Sequence, residues 1–273
     1  MNGLRSRSAN CVSKQSRVFT WLKRLKFDII LLQETHSTEV DEKYMLGRWG
    51  GLGYFSHGDT CSRGVGILIR PNSGITIDNV RKDKDGRFIT LVAIYKGTSI
   101  TVGNFYGPNT DNSRVIEEFC SRLDEYDNPY TVAGGDFNFC LDTSMDRETS
   151  AQRIRNNNNS RNKLTQYMYQ QNLVDIWREL NPQTKQYTYI RQNPPSKSRI
   201  DFFPVNSDIV QVNNTINADI RDGYLSDHRM ITISLDITTV LTGKSYWKFN
   251  NDLLKDDDFV AMVGTWKNFR NYI

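Results

Sequence analysis

The chain has 273 residues, of which 38% are hydrophobic, 24% charged and 11% aromatic, and its formal net charge is +4. This length suffices for one large domain or two small ones, and no apolar run reaches the roughly 20 residues that a membrane-spanning helix requires. The first residues contain no apolar signal-peptide core, so we expect an intracellular protein with no membrane partner. The mild basic excess permits an anionic partner such as nucleic acid but does not identify one.

Apolar residues spaced three or four apart predict helices over residues 18–25, 115–123 and 164–180. Short runs rich in β-branched and aromatic residues predict strands. In chain order the elements are a helix at 18–25, strands at 26–33, 63–69, 88–95 and 99–106, a helix at 115–123, a strand at 129–134, a helix at 164–180 that stops before Pro182, and a strand at 230–235. The asparagine tract 156–159 is interpreted as a polar loop.

The order of these elements favours an α/β (α+β) fold in which two β-sheets form a sandwich and helices pack outside. A strictly alternating parallel sheet fits poorly, because several strands follow one another without a helix between them. The character of the chain changes near residue 243, so we expect a domain over residues 1–240 and an extension over 241–273. The four cysteines are scattered without zinc spacing, which predicts idle thiols in a reducing compartment.

Glu34 directly follows the strand predicted at 26–33. A carboxylate at the end of a buried strand costs free energy unless it is paired or bound to a cation, and carboxylate oxygens are ligands that Mg²⁺ prefers. Taken alone, a glutamate that faces water is the simpler interpretation.

Asp136 and Asn138 follow a glycine pair at the end of the strand predicted at 129–134. Residues two apart point to the same side of an extended chain, so one side chain can orient or deprotonate a water molecule while the other holds a phosphate oxygen. Gly-Gly-Asp and Asn are also common turn formers, and a plain turn is an equally good interpretation of this segment alone.

Asp201 interrupts an otherwise apolar strand and therefore needs a partner, and His228 precedes the last predicted strand. An aspartate that accepts a hydrogen bond from one imidazole nitrogen fixes the tautomer of the histidine and raises its basicity. Tyr106 can donate a hydrogen bond to a phosphoryl oxygen, although a core tyrosine is the simpler interpretation by itself.

Six short motifs in this order resemble those of a known family. They are Asn-Gly-Leu-Arg-Ser at 2–6, Leu-Gln-Glu-Thr-His at 32–36, Asn-Phe-Tyr-Gly-Pro-Asn at 104–109, Gly-Asp-Phe-Asn at 135–138, Ser-Arg-Ile-Asp at 198–201 and Ser-Asp-His at 226–228. The chain resembles the exonuclease III/apurinic endonuclease branch of the endonuclease/exonuclease/phosphatase superfamily, most closely the endonuclease domain of non-LTR (LINE-type) retrotransposons. The resemblance implies a four-layered α/β sandwich, with two mixed β-sheets packed face to face and helices outside.

The resemblance also implies roles for individual residues. The implied catalytic residues are Asp136, Asn138, His228, Asp201 and Tyr106, where Asp136 handles the attacking water and Asn138 steadies the phosphoryl oxygens. The implied metal ligands are Glu34, Asn2 and Asp227, and the implied substrate-binding residues are Asn109, Arg147, Ser198 and Asn2. The cofactor implied is Mg²⁺, with Mn²⁺ as a substitute.

Two segments resemble DNA-contacting parts of the retrotransposon branch: a loop at 142–147, and a hairpin at 187–197 that probes the DNA groove. One departure is that the family's first strand precedes the motif at 2–6, so we expect that inner strand to be missing. Loss of a central strand opens a sheet edge and threatens stability.

The function implied is a Mg²⁺-dependent phosphodiester hydrolase that nicks DNA and leaves a 3′-hydroxyl to prime reverse transcription. Residues 241–273 resemble the linker towards a reverse transcriptase, to which we expect the domain was once fused. We further expect a monomeric domain that acts in the nucleus. The alternatives are an apurinic/apyrimidinic endonuclease or exonuclease III-type repair enzyme and an inactive DNA-binding remnant. Lipid and inositol phosphatases share the chemistry, but the DNA-side motifs disfavour them.

Overall fold

The computed structural model describes residues 9–59, 62–150, 157–212 and 216–237. Its helices are α1 (Ala9–Leu25), α2 (Glu39–Trp49), α3 (Ser113–Asp124), α4 (Asn158–Gln170), α5 (Ile176–Leu180) and α6 (Ser207–Val212). The strands up to the middle of the chain are β1 (Ile29–Gln33), β2 (Leu52–Ser56), β3 (Val65–Ile69), β4 (Thr76–Lys82), β5 (Phe88–Tyr95), β6 (Thr98–Tyr106) and β7 (Thr131–Asp136). The later strands are β8 (Arg147–Thr149), β9 (Leu173–Asp175), β10 (Tyr189–Arg191), β11 (Ser196–Ser198), β12 (Asp201–Phe202), β13 (Pro204–Asn206), β14 (Asn217–Arg221) and β15 (Met230–Ser234).

Two sheets pack face to face at the centre of the fold. One is antiparallel with the order β1-β3-β2, and the other is mixed with the order β4-β5-β6-β7-β13-β9 and β12 paired to β7. Because side chains alternate along a strand, Ile67 and Ile69 of β3 point into the space between the sheets, where they join Leu91 and Val102 in one buried cluster.

Helices cover the two outer faces. Leu68, the alternate residue of β3, packs outward in a cluster with Val18 and Leu22 of α1 and Trp49 of α2. On the opposite side, α3 and α4 pack on the mixed sheet through a separate cluster that includes Phe119. The four-layered α/β sandwich predicted from the resemblance is therefore confirmed, with the difference that the smaller of the two packed sheets is wholly antiparallel.

The predicted helix over residues 164–180 is wrong in its second half. The helix α4 ends at Gln170, Asn172 adopts a left-handed φ of 53°, and the chain then forms β9 before α5 begins. Leu173 lies opposite Asn206 of β13 in the mixed sheet, and from this strand its side chain packs in the cluster under α3 and α4. Helical spacing and a buried short strand cannot be distinguished from periodicity alone.

The predicted polar loop at 156–159 is also partly wrong, because Asn158 and Asn159 begin α4. The carboxylate of Asp111 accepts hydrogen bonds from the backbone N–H groups of Asn159 at 3.0 Å and Ser160 at 2.9 Å. These contacts satisfy first-turn donors that a helix cannot pair internally. A partner 48 residues away in sequence thus decides where this helix starts.

A cavity of about 820 Å³ separates β1 from β15, and residues of both strands line it. Within the described residues β15 pairs only with β14, and β1 pairs only with β3. The motif at 2–6 and the extension at 241–273 lie outside the described residues, so the expectations for both stay predictions. Among the described residues, no helix combines the length and apolar composition needed to cross a bilayer.

The predicted strands at 88–95, 99–106 and 230–235 correspond closely to β5, β6 and β15. Two described cysteines, Cys120 and Cys140, are buried free thiols, as the spacing of the cysteines suggested.

Candidate active site

Strand register brings three predicted catalytic residues side by side. In the parallel pair β6–β7, Tyr106 lies opposite Asp136. In the antiparallel pair β12–β7, Asp201 lies opposite the same Asp136 on its other side. Since all three residues occupy strand ends, they form one row at the rim of the mixed sheet.

His228 approaches this row from the segment before β15. Its Nδ1 atom lies 2.9 Å from Oδ2 of Asp201, and its Nε2 atom lies 3.9 Å from Oδ2 of Asp136. Burial by itself would lower the pKa of His228, but the carboxylate of Asp201, through its charge and hydrogen bond, raises that pKa to about 9. The imidazole is therefore protonated at neutral pH, and its Nε2–H faces Asp136.

The carboxyl group of Asp136 is buried. Burial raises its pKa well above the ordinary value for aspartate, and the neighbouring charge of Asp201 raises it further, while His228 acts in the opposite direction. A carboxylate with a pKa nearer neutrality is a better general base than an ordinary aspartate.

Asn138 is fixed beside Asp136 by two hydrogen bonds. Its backbone N–H donates to Oδ1 of Asp136 at 2.9 Å, and its Nδ2 donates to the carbonyl oxygen of Gly107 at 2.8 Å. Its φ of 58° is in the left-handed region, which asparagine tolerates better than most residues. The segment therefore forms the turn predicted from Gly-Gly-Asp and also places Asn138 beside Asp136.

Glu34 follows β1 and reaches the row from the other sheet, where the hydroxyl of Tyr106 donates a hydrogen bond to Oε1 of Glu34. Burial, together with this hydrogen bond, raises the pKa of Tyr106, so its hydroxyl stays a neutral donor. The guanidinium carbon of Arg87 lies 5.2 Å from the centre of the Tyr106 ring, and Nη1 of Arg87 donates to the carbonyl oxygen of Gly107 at 3.2 Å.

A metal ion can be considered at two places. Ligand atoms of Asp136, Asp201 and His228 lie within 4.8 Å of one another, but the imidazole is already bound to Asp201, and a protonated ring has no lone pair to offer. That group suits proton transfer better than metal ligation. Glu34 offers a carboxylate oxygen donor, the kind that Mg²⁺ binds, at the same rim.

The other predicted site residues are more dispersed. Arg147 and Ser198 lie opposite each other in the β8–β11 pair, and Ser198 is buried. Asn109 lies on the surface between β6 and α3, and Asp227 is exposed next to His228. Asn2 falls outside the described residues.

Sequence reasoning missed the role of Arg199, which is fully buried. Its Nε and Nη2 atoms donate to Asp146 at 2.9 and 2.6 Å, and its Nη1 lies 2.6 Å from Oδ2 of Asp175. The backbone N–H of Arg199 also donates to the carbonyl oxygen of Asp146 at 2.8 Å. Arg199 lies between β11 and β12, and its position two residues before Asp201, at the start of the otherwise apolar segment 200–203, was the available signal. This cluster anchors the loop at 142–147.

The fold and this centre define the class of α/β-sandwich hydrolases that act on phosphate esters. The model of the Endonuclease/Exonuclease/phosphatase family matches residues 1–228, so the chain belongs to that family.

One relative is a transposon TX1 uncharacterized 149 kDa protein from Xenopus laevis, which is 30% identical over 263 residues. The match covers 94% of this chain, and the chain spans 20% of that protein's length. Two solved structures of AP endonucleases share the fold. That from Archaeoglobus fulgidus has a TM-score of 0.65 at 21% identity, with 83% of this chain and 95% of that chain covered. That from Leishmania major has a TM-score of 0.66 at 18% identity, with 85% of each chain covered.

Proposed function

We propose that the protein is a Mg²⁺-dependent phosphodiester hydrolase that nicks DNA and leaves a 3′-hydroxyl. The observation that carries the proposal is the row Tyr106–Asp136–Asp201, with a protonated His228 beside it. Hydrolysis of a phosphodiester needs a base for the attacking water and donors for the charge that develops on the phosphoryl oxygens. The row supplies both within a few ångströms.

In this proposal Asp136 accepts a proton from the attacking water, which its raised pKa favours. His228 holds its Nε2 proton towards a phosphoryl oxygen, because Asp201 keeps the imidazole oriented and charged. Asn138 steadies the phosphoryl oxygens, and Tyr106, whose single hydroxyl proton is donated to Glu34 in the free protein, would contact the phosphate when that proton turns towards it. When bound at Glu34, Mg²⁺ stabilises negative charge on the phosphoryl and leaving oxygens. Asn2 and Asp227 are proposed as further ligands of the ion.

DNA is the proposed substrate because the relative from Xenopus laevis is a transposon protein and the solved relatives are AP endonucleases. The hairpin β10–β11 supports this choice, since it carries exposed Arg191 and half-exposed Lys197, and Ile190 near its tip is 45% exposed. Cations on an exposed hairpin suit phosphate contacts, and an apolar side chain between them suits insertion into a groove. Arg147, Ser198 and Asn109 are proposed as further DNA contacts.

Nicking of supercoiled plasmid tests the proposal. We expect nicking with Mg²⁺ or Mn²⁺, none with EDTA, and none by Asp136→Ala or His228→Ala in either metal. Extension of the nicks by a DNA polymerase without phosphatase treatment reports a 3′-hydroxyl. Equal nicking by either variant and the parent protein would refute the assignment of the site.

A repair enzyme is the second candidate, because both solved relatives named above are AP endonucleases. Incision of a duplex with one abasic site far faster than an intact duplex of the same sequence would favour it. Binding of DNA without any incision, together with an unchanged melting temperature on addition of Mg²⁺, would favour an inactive DNA-binding remnant.

We also propose the context that the resemblance suggested. Residues 241–273 would link the nuclease domain to a reverse transcriptase, and the domain would act as a monomer in the nucleus. Copurification of nicking and polymerase activities from a chain extended beyond residue 273 would support the fusion.

A further inference from the structure

The loop that carries Glu34 has an unfavourable backbone. Glu34 has a φ of 50° and His36 a φ of 47°, so two residues that are not glycine lie in the left-handed region within one short segment. The left-handed region is unfavourable for a residue that carries a Cβ atom. Strain of this kind persists only where the surrounding structure holds the segment in place.

Backbone contacts hold one side of the loop. The N–H of Thr35 donates to the carbonyl oxygen of Gly64 at 2.9 Å, and the N–H of His36 donates to the carbonyl oxygen of Arg63 at 3.0 Å. Gly64 approaches so closely that a Cβ added to it would lie 2.4 Å from Oγ1 of Thr35. These contacts fix the path of the main chain.

A chain of side-chain hydrogen bonds holds the other side. Oγ1 of Thr35 lies 2.9 Å from Oγ of Ser37, which lies 3.1 Å from Nδ1 of His57. Nε2 of His57 lies 2.9 Å from Oε2 of Glu42 on α2. We call these four residues the Thr35–Glu42 relay. It runs from the neighbour of Glu34 to the first turns of a helix.

The direction of the relay follows from its acceptor end. A carboxylate accepts hydrogen bonds, so Nε2 of His57 donates to Glu42, and in the tautomer with a single ring proton Nδ1 accepts from the hydroxyl of Ser37. The oxygen of Ser37 is then left to accept from the hydroxyl of Thr35. In this tautomer all three hydrogen bonds run in the same direction, from Thr35 to Glu42. The ring of His57 is stacked on that of Phe55, with 6.2 Å between the ring centres and an interplanar angle of 3°.

Ser37, His57 and Glu42 have the composition of a nucleophilic triad, but the geometry excludes that role. Ser37 is only 1% exposed, and its oxygen is already bound to Thr35. A nucleophile must reach its substrate, and this hydroxyl cannot. The relay is therefore structural, and its first member, Thr35, directly follows Glu34 in the chain.

We propose that the Thr35–Glu42 relay positions the carboxylate of Glu34 for the divalent cation, with Thr35, Ser37, His57 and Glu42 as positioning residues. This inference rests on the proposed function, which makes Glu34 the metal ligand. The relay fixes the main chain on one side of Glu34, and the hydrogen bond from Tyr106 fixes its carboxylate on the other. Loss of such outer contacts typically weakens metal affinity by about 10–100-fold.

The test measures Mn²⁺ affinity without DNA, by water-proton relaxation, for matched variants of the whole chain. Thr35→Val removes the hydroxyl at constant volume, whereas Thr35→Ser retains it. We expect the dissociation constant for Mn²⁺ to rise about 10-fold in Thr35→Val and to stay within about 2-fold of the parent in Thr35→Ser. Glu42→Ala, a change at the partly exposed end of the relay, should fold and shift affinity in the same direction.

Thr90→Val is the control, since Thr90 is fully buried and its hydroxyl lies 3.0 Å from that of Tyr126, outside this loop. It should lower the melting temperature without changing Mn²⁺ affinity. In nicking assays the relay variants should need more Mg²⁺ for half-maximal rate yet approach the parent kcat at saturating Mg²⁺.

Three outcomes separate the relay from the proposed function. Unchanged Mn²⁺ affinity in both Thr35→Val and Glu42→Ala, with weakened affinity in Glu34→Gln, overturns the relay alone. Unchanged affinity in Glu34→Gln overturns the metal assignment on which both rest. Equal losses of affinity in Thr90→Val and Thr35→Val would show that general destabilisation, and not the relay, is responsible.

Discussion

The Nδ1 atom of His228 lies 2.9 Å from Oδ2 of Asp201, across 27 residues of sequence. This contact keeps the imidazole charged and oriented, and the other ring nitrogen consequently faces Asp136 at 3.9 Å. The two residues therefore form one unit, which in the proposed mechanism holds the Nε2 proton towards the phosphoryl oxygen beside Asp136.

Because Asp201 and His228 act as a unit, replacing either one should remove the same contribution to the nicking rate. We expect Asp201→Asn and His228→Gln each to slow nicking by about 10²–10³-fold, the loss typical of one stabilising donor. The double variant should be only slightly slower than the worse single variant, because the second change removes a partner that is already ineffective. Single-turnover rates at saturating Mg²⁺ give the comparison. Losses that multiply would contradict the coupling of the two residues.

Asp136→Asn should stabilise the metal-free protein while it slows nicking. Burial, followed by the charge of Asp201, raises the pKa of Asp136 in the folded state. Because the pKa of this acid is higher in the folded than in the unfolded protein, the folded state loses stability as pH rises. The loss begins near pH 4, the pKa in the unfolded chain, and is complete above the pKa in the folded state. A neutral amide does not lose this stability.

We therefore expect a higher melting temperature for Asp136→Asn than for the parent in EDTA at pH 8, by a few degrees for each ~1 kcal/mol. The difference should shrink at pH 5, where the parent carboxyl is increasingly protonated. The nicking rate should fall by about 10²–10⁴-fold, the usual contribution of a general base. If Asp136→Asn melts at a lower temperature than the parent at pH 8, burial does not disfavour the ionised carboxylate of Asp136.

Arg199→Met should be severely destabilising. It would leave buried Asp175 without its ion-pair partner and buried Asp146 with Arg178 alone, and breaking a buried ion pair from one side typically costs about 3–5 kcal/mol. Urea denaturation measures the loss. Arg221→Met is the matched control, because Arg221 pairs with Asp219 on the surface at 2.7 Å and such pairs contribute about 0–1 kcal/mol. Similar losses in the two variants would contradict the structural role of the buried cluster.

Asn104→Ala should loosen the contact between the two packed sheets. Asn104 is fully buried on β6, and its Nδ2 donates to the carbonyl oxygens of Leu32 at 2.9 Å and Gly66 at 2.8 Å in the facing sheet. Each buried acceptor left unpaired costs about 1–3 kcal/mol. Equilibrium unfolding in urea should show that loss, and Asn217→Ala at an exposed strand position should stay within about 0.5 kcal/mol of the parent. A small effect at Asn104 would mean that the two carbonyl groups find other donors.

Some elements were predictable and others were not, for identifiable reasons. The strands β5 and β6 were predicted because both are rich in β-branched and aromatic residues, and most of their residues are buried. The strand β4 was not, because most of its residues are exposed and polar, which leaves little hydrophobic signal. The helix over 164–180 was predicted too long because Leu173 and Ile176 fit a helical face, although Asn172 turns the chain into a strand.

The sequence by itself determined the chemical groups of the site, because Glu34, Asp136 and His228 occur in short local motifs at the ends of apolar segments. The tertiary structure alone decided which groups face one another. Register places Asp136 between Tyr106 and Asp201. The physical reason is that periodicity reports which face of a local segment is buried, whereas contacts between distant segments depend on how sheets and loops pack. The Thr35–Glu42 relay and the buried contacts of Arg199 became visible only in the tertiary structure.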